Sequence, residues 1–136
     1  MSEVAVDSSI IIALALGESE APSFAKVLDS YQRRVMSAFS VMECSAVLQA
    51  KFGATADARL TPLLDVLDID ILPLTESQAA LGRSALTRYG KGRHPAGLNL
   101  GDCCSYALAT ERGAPLLFKG DDFGQTDVQI ARLQKK

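Results

Sequence analysis

Acidic residues stand at the positions of this 136-residue chain where a metal ion or a reacting group could be held. Asp7 directly follows a short apolar run, Asp102 begins a predicted helix, and the pair Asp121-Asp122 follows a predicted strand. In parallel sheets, the carboxyl ends of the strands form the edge at which ligands bind. We therefore expect these carboxylates to converge on one edge of a sheet.

Glu43 is a further acid of interest because it interrupts the apolar stripe of a predicted helix over 40–52. Ala46 and Val47 lie one turn further on, and no basic residue lies three or four positions away. A carboxylate without a partner is costly to bury. The partner must come from elsewhere in the fold, as an arginine or a cation, unless the side chain lies at an exposed edge of the stripe.

Carboxylates gathered in one place repel one another, by about 4 kcal/mol for two charges about 4 Å apart at an effective dielectric of about 20. A divalent cation removes this repulsion, and purely oxygen ligands favour Mg²⁺, which Mn²⁺ can replace. Such a site can activate water for attack on a phosphodiester. Taken singly, Asp7 and Asp102 also suit helix N-caps, and Asp121-Asp122 suits a turn.

Composition argues against several other kinds of site. The chain has one histidine and three cysteines without a CxxC spacing, which disfavours a disulfide framework and a zinc site. Nucleophile-elbow and phosphate-loop motifs are missing, and the net charge of −2 gives no sign of nucleic-acid binding.

No apolar run reaches the roughly 18 residues of a membrane helix. Acidic rather than basic residues precede the first apolar run, so we expect a cytoplasmic protein.

Short apolar strands alternate with helices, which is typical of an α/β fold with a parallel sheet covered on both faces. The length favours a single domain over residues 1–136. Pro62 falls in the helix predicted over 58–67 and is tolerable only in the first turn of that helix. The predicted strands are 4–6, 35–36, 70–74 and 115–118; the predicted helices are 10–16, 24–34, 37–52, 58–67, 75–89 and 102–112, with a loop over 90–100 and a turn over 120–124.

Four segments resemble the PIN domain and, more narrowly, the VapC-type ribonuclease toxins of toxin–antitoxin operons. The resemblance covers essentially the whole chain, and its last two segments, in this order and spacing, are quite specific. The segments are VDSS from Val6, SVME from Ser40, HPAGLNLGDCCSYALA from His94 and LLFKGDDFGQTD from Leu116.

This resemblance implies a three-layer α/β/α sandwich around a mainly parallel central sheet. It also implies a Mg²⁺-dependent endoribonuclease with three or four acids in its site, a frequent homodimer, and a cognate VapB-type antitoxin that binds over the active site. Asp7, Glu43 and Asp102 match the first three acids of the family. Gly120 stands where many relatives carry the fourth, so that role falls to one acid of the pair Asp121-Asp122.

The resemblance further implies how these acids act. Asp7 and Asp102 coordinate the metal, while Glu43 and one acid of the pair Asp121-Asp122 orient metal-bound water or complete a second metal position. The activated water attacks RNA in line and leaves a 5′-phosphate and a 3′-hydroxyl. Asp127 is a weaker candidate for a supporting or structural role.

The loop over 90–100 and its flanks supply candidate contacts to RNA, since Lys and Arg contacts to phosphate dominate such binding. A charged loop is as often simply solvated. Asn99 is a candidate for binding a phosphate or positioning Asp102, and Ser9 and Ser37 for bonding the carboxylates, with capping or a plain loop amide as alternatives. The candidate substrate-binding residues are Ser9, Arg88, Lys91, Arg93, His94 and Asn99.

Other classes of function stay open from sequence alone. A Mg²⁺-dependent phosphatase or receiver-like domain also gathers acids at strand ends, although Ser9 stands where such phosphatases usually carry a second aspartate. A catalytically silent PIN-like binding module is a third alternative. The apolar content from Ile10 to Tyr31 predicts an exposed patch for an antitoxin or a second copy. The residues expected in the core are Cys103, Cys104, Tyr106, Phe118 and Phe123.

Overall fold

Four parallel strands form the centre of the fold in the computed structural model, which describes residues 2–135. The strands are β1 (Glu3–Val6), β2 (Arg33–Ser37), β3 (Ile69–Leu72) and β4 (Leu116–Leu117). They lie side by side in the order β3-β2-β1-β4. The helices are α1 (Ser8–Leu16), α2 (Ala21–Asp29), α3 (Ala38–Phe52), α4 (Ala56–Val66), α5 (Glu76–Tyr89) and α6 (Leu100–Arg112), with 3-10 turns at Gly53–Thr55 and Phe123–Gln125.

The helices cover both faces of the sheet, because successive side chains of a strand point to opposite faces. Val4 and Val6 belong to an apolar cluster that includes residues of α1 to α4. Ala5 belongs to a second cluster with residues of α5 and α6. This arrangement confirms the predicted three-layer sandwich.

The register brings the carboxyl ends of the central strands to one level. Val6 pairs with Leu117 of β4, and Ala5 pairs with Val35 of β2. Helices α1 and α3 begin directly after β1 and β2, so the first turns of both helices lie at this edge. The edge is therefore where the predicted acids must meet.

The structure contradicts the predicted exposed apolar patch between Ile10 and Tyr31, because the large apolar side chains of this range are buried or partly buried against the core. Ile10 and Ile11 are 0% exposed and Leu28 is 1% exposed. These side chains form the cluster between the sheet and helices α1 to α4, which uses the apolar content that we assigned to a partner. Cys103, Cys104, Tyr106 and Phe123 are buried as predicted, and Phe118 is partly buried.

Several boundaries differ from prediction for identifiable reasons. Strand β3 ends at Leu72 because Pro73 has no N–H for a further ladder bond. Helix α2 ends at Asp29, and β2 begins at Arg33 because this residue pairs with Glu3 in the sheet. Pro62 lies in the second turn of α4 and not in the first, since the helix begins at Ala56.

The carboxyl-terminal segment returns along the outer side of β4. The N–H of Leu116 donates to the carbonyl of Gln129 at 2.8 Å, and the N–H of Ala131 donates to the carbonyl of Leu116 at 3.0 Å. Leu116 and Ile130 form a parallel bridge. Tyr31 holds the end of the segment, since its hydroxyl donates to the carbonyl of Arg132 at 2.9 Å. Within residues 2–135, none of the helices has the length and apolar character needed to cross a bilayer.

Candidate active site

Asp7 is fixed by the end of one strand and the start of one helix. Its N–H donates to the carbonyl of Leu117 at 3.0 Å, which ties it to β4. Its carboxylate caps α1 by accepting the N–H of Ser9 at 3.1 Å. Asp7 therefore caps α1, as one interpretation of the sequence predicted, and the residue is 4% exposed. This capping role does not exclude a second role in a metal site.

Hydroxyl groups orient both carboxylate oxygens of Asp7. Ser9 Oγ donates to Oδ2 at 2.6 Å, and Ser105 Oγ donates to Oδ1 at 2.6 Å. Ser40 Oγ lies 3.3 Å from Ser105 Oγ. Ser9 Oγ also accepts the N–H of Lys119 at 3.0 Å, which connects the chain after β4 to the same cluster. Ser37, the other serine at a strand end, caps α3 by accepting the N–H of Phe39.

Asp102 is held by its own helix. Asn99 is the N-cap of α6, and its Oδ1 accepts the N–H of Asp102 at 2.8 Å. Asp102 Oδ2 accepts the N–H of Asn99 at 3.0 Å, which completes a capping box. Asn99 therefore positions Asp102, one of the two roles predicted for it.

Glu43 lies on α3 in the second turn and is partly buried. Burial raises the pKa of its carboxyl, the hydrogen-bonding Ser8 side chain lowers this pKa, and the charge of Asp7 raises it again. Within residues 2–135, Glu43 forms no ion pair with an arginine or a lysine. Of the two partners that the sequence left open, a cation therefore stays the prediction.

The acids at this edge act on one another electrostatically. Burial is the largest cause that raises the pKa of Asp102 to about 6, and the charges of Asp7, Glu43 and Asp122 act in the same direction. The hydrogen bond from the Asn99 backbone lowers this pKa and so opposes the rise. Lys119 is close in sequence to Asp121 and Asp122, but its ammonium group pairs with the carboxylate of Glu18 at 2.6 Å. The result is an accumulation of negative charge at one edge of the sheet.

The donor set has the chemistry of a hard divalent cation site, because it consists of carboxylate oxygens whose neighbours are mainly hydroxyls and other carboxylates. Among residues 2–135, no three histidine, cysteine, aspartate or glutamate side chains are close enough together to enclose a metal ion. Direct ligation by Asp7, Glu43 and Asp102 stays a prediction that requires side-chain movement.

Asp121 and Asp122, the two candidates for the fourth acid, are both exposed on the turn after β4. The charge of Asp122 raises the pKa of Asp102, which makes Asp122 the candidate that we carry forward as a prediction.

The predicted basic group around the loop is divided in the structure. Arg88 Nη2 donates to Asp127 Oδ2 at 3.2 Å and to the Tyr89 hydroxyl at 2.6 Å. Lys91 and Arg93 are exposed, and His94 packs edge-on against the Tyr89 ring at 5.1 Å. Arg88 is thus part of the fold, while Lys91 and Arg93 extend from the loop that leads to α6.

Asp127 has the structural role that was one of its predicted alternatives. It accepts a hydrogen bond from the Tyr106 hydroxyl and an ion pair from Arg88. These bonds lower the pKa of Asp127, with the Tyr106 bond as the largest cause. The carboxyl-terminal segment is thereby attached to α5 and α6.

Ser105, Ser8 and Ser40 contribute to the site and were missed from sequence. A signal for Ser105 was available, because it lies three residues after Asp102 and therefore on the same face of α6. Ser8 and Ser40 gave no comparable signal, since serine at the start of a helix is explained by capping.

Comparison with known proteins extends over nearly all of the chain. A model of the PIN-domain family matches residues 4–129. Ribonuclease VapC28 of Mycobacterium tuberculosis is 45% identical over 127 residues, which is 93% of this chain and 96% of that protein.

Two solved structures share the fold at low sequence identity. VapC20 of Mycobacterium tuberculosis, described as a toxin that cleaves the sarcin–ricin loop, superimposes with a TM-score of 0.75 at 16% identity and covers 92% of this chain and 95% of its own. A toxin–antitoxin complex from Klebsiella pneumoniae contains a chain with a TM-score of 0.68 at 20% identity, covering 91% of this chain and 92% of its own.

Proposed function

The chain belongs to the PIN-domain family and, within it, to the VapC ribonucleases, and on this premise we propose that it is a Mg²⁺-dependent endoribonuclease acting as the toxin of a toxin–antitoxin pair. The observation that carries the proposal is the accumulation of carboxylates at the carboxyl edge of the sheet. The charge of Asp7 raises the pKa of both Glu43 and Asp102, and a bound cation would remove that repulsion.

The residues of the site have distinct roles in the proposed reaction. Asp7, Glu43 and Asp102 would hold Mg²⁺ or Mn²⁺ through their oxygens, with Asp122 as the fourth acid. When bound, Mg²⁺ supplies a Lewis acid for the phosphodiester and lowers the pKa of water. Ser9 and Ser105 orient the oxygens of Asp7, and Asn99 fixes Asp102, so that the acids present a defined set of donors.

RNA would be bound by the loop that precedes α6. Lys91 and Arg93 are exposed, and neither forms an ion pair within residues 2–135. Their position before Asp102 would place backbone phosphates beside the acids. His94 and Asn99 are the further loop candidates, whereas Arg88 would contribute only after release from Asp127.

A VapB-type antitoxin and a second copy of the chain are the proposed protein partners. The Klebsiella pneumoniae relative of the same fold is a toxin–antitoxin complex, which supports the first of these. Exposed apolar side chains such as Leu74, Leu86 and Leu100 are available for contacts. Cys44, Cys103 and Cys104 are buried thiols, and we propose the reducing cytoplasm as the place of action.

The test is cleavage of structured RNA by the purified chain with Mg²⁺ and with EDTA. We expect cleavage only with the metal, and a loss of at least about 10²-fold in Asp7→Asn and Asp102→Asn. Asp29→Asn is the matched control, because it makes the same change of charge at the exposed end of α2, away from the acidic edge.

Two outcomes would contradict the proposal. Undiminished cleavage by both site variants would remove the site assignment. Hydrolysis of small phosphomonoesters without cleavage of RNA would favour a phosphatase instead.

A further inference from the structure

Gly101 is a buried glycine in the first turn of α6, directly before Asp102. Its φ angle is not positive, so the backbone at this position accepts any L-residue. Glycine is also a poor helix former compared with alanine. Neither the local conformation nor helix propensity explains why glycine stands here.

The carboxylate of Glu43 occupies the space that a side chain at position 101 would fill. An ideal Cβ built on Gly101 lies 2.6 Å from Glu43 Cδ and 2.6 Å from Oε1, and it is closer still to Oε2. Real Cβ atoms essentially never approach other heavy atoms this closely. Glu43 is partly buried between α3 and α6, so an added methyl group would displace its carboxylate.

Gly82 of α5, which faces α6 from another helix, provides a contrast. An ideal Cβ on Gly82 lies 3.5 Å from the Cys103 carbonyl oxygen and 3.9 Å from Ala107 Cβ, which are ordinary contacts. Alanine therefore fits at position 82. The restriction at position 101 comes specifically from Glu43.

We propose that Gly101 is a positioning residue whose missing side chain lets the Glu43 carboxylate lie against the first turn of α6, beside Asp102. The N–H groups of a first helical turn carry partial positive charge, which favours a carboxylate that has no basic partner in its surroundings. The catalytic part of this inference rests on the proposed function, whereas the steric part does not.

A thermal-unfolding cycle in EDTA tests the steric part. With Glu43 present, we expect Gly101→Ala to change Tm less favourably than it does in the Glu43→Ala background, because the Glu43 carboxylate must move aside. With Glu43→Ala, the same substitution should leave Tm unchanged or raise it, because the methyl group then has room and alanine favours the helix. Gly82→Ala is the control and should be neutral or stabilising in both backgrounds.

The thermal-unfolding cycle tests the proposal even if one of the variants fails to fold. An unfolded Gly101→Ala protein whose fold returns in the double variant Gly101→Ala/Glu43→Ala supports the proposal. Equal changes of Tm by Gly101→Ala in both backgrounds would overturn it, because the conflict would then not involve Glu43.

Two further measurements test the consequence for the site. We expect Gly101→Ala to weaken Mn²⁺ binding about tenfold in an electron-spin-resonance titration and to lower kcat/KM for RNA by about 10²-fold. Wild-type values for both in Gly101→Ala would overturn the proposal. If the wild-type chain cleaves no RNA, the proposed function fails, and the thermal cycle still decides whether Gly101 positions Glu43.

Discussion

The charged side chains at the two ends of the parallel sheet have opposite kinds of neighbours. At the amino end, Glu3 accepts two hydrogen bonds from Arg112, at 2.6 and 2.9 Å, and Arg33 lies 3.4 Å from the same carboxylate. Arg33 also bonds Asp70 of β3 at 2.7 Å. At the carboxyl end, the acids have hydroxyls, backbone groups and one another as neighbours.

The ion pairs at the amino end contribute to the stability of the fold, whereas the acids at the carboxyl end form the candidate active site. Hydrogen bonding to Arg112 lowers the pKa of Glu3, so the charged form of Glu3 stabilises the fold. Burial raises the pKa of Asp102 to about 6, so the charged form of Asp102 destabilises it. The amino end is compensated by the protein itself, whereas at the carboxyl end the proposed cation would supply the compensation.

The largest expected effect is stabilisation by a divalent cation at the carboxyl end. Mg²⁺ or Mn²⁺ at 100 times its Kd should raise the free energy of unfolding by about 2.7 kcal/mol, measured by thermal or urea unfolding. Asp102→Asn and Glu43→Gln should lose most of this gain, because each removes a charge that binds the ion. Glu3→Gln should retain it. An equal gain in Asp102→Asn would show that the ion binds elsewhere.

A smaller effect is expected from breaking the ion pair at the amino end. Arg112→Met should lower the free energy of unfolding by about 1–2 kcal/mol, because it removes two charge-assisted bonds from a mostly buried carboxylate. RNA cleavage per folded molecule should be unchanged. Arg83→Met, at an exposed position of α5, is the control and should have little effect on either quantity. Lost cleavage in a stably folded Arg112→Met protein would contradict the separation of the two ends.

The comparison also predicts an opposite pH dependence at the two ends, measured by urea unfolding in EDTA. The pKa of Asp102 rises on folding from 3.8 to about 6, so the folded chain binds more protons within that window. Its contribution to stability therefore falls as the pH rises from about 4 to about 6, and stays constant above. Asp102→Asn should gain stability relative to wild type over this window.

Glu3 should behave in the reverse sense. Its pKa falls below 4.5 on folding, so its stabilising contribution is present above pH 4.5 and is lost as the pH falls through the lowered value. The deficit of Glu3→Gln should shrink accordingly in acid. Parallel pH profiles for Asp102→Asn and Glu3→Gln would contradict the comparison.

The sequence predicted those parts of the fold and site that depend on periodicity and on helix starts. The convergence of Asp7 and Asp102 could be predicted because parallel strands direct their carboxyl ends to one edge of the sheet. Their capping bonds follow from residue type alone. Glu43 was identified because an acid in an apolar stripe lacks a local explanation.

Features that depend on long-range packing could not be predicted. The pairing of Arg88 with Asp127 joins residues 39 apart, so the sequence alone presented Arg88 as a substrate contact. The burial of Ile10 and Leu28 depends on how four helices share one face of the sheet. Gly101 gave no signal, because the group that excludes a side chain there lies on another helix.

The return of the carboxyl-terminal segment along β4 has a consequence for association between molecules. An open strand edge is a template for adding strands from other chains, which leads to aggregation. Here, Gln129 and Ala131 already occupy the backbone groups of Leu116 on that side. The chain thus covers the outer edge of β4 with its own backbone, so a strand added by another copy on that side would pair with the returning segment and not with β4.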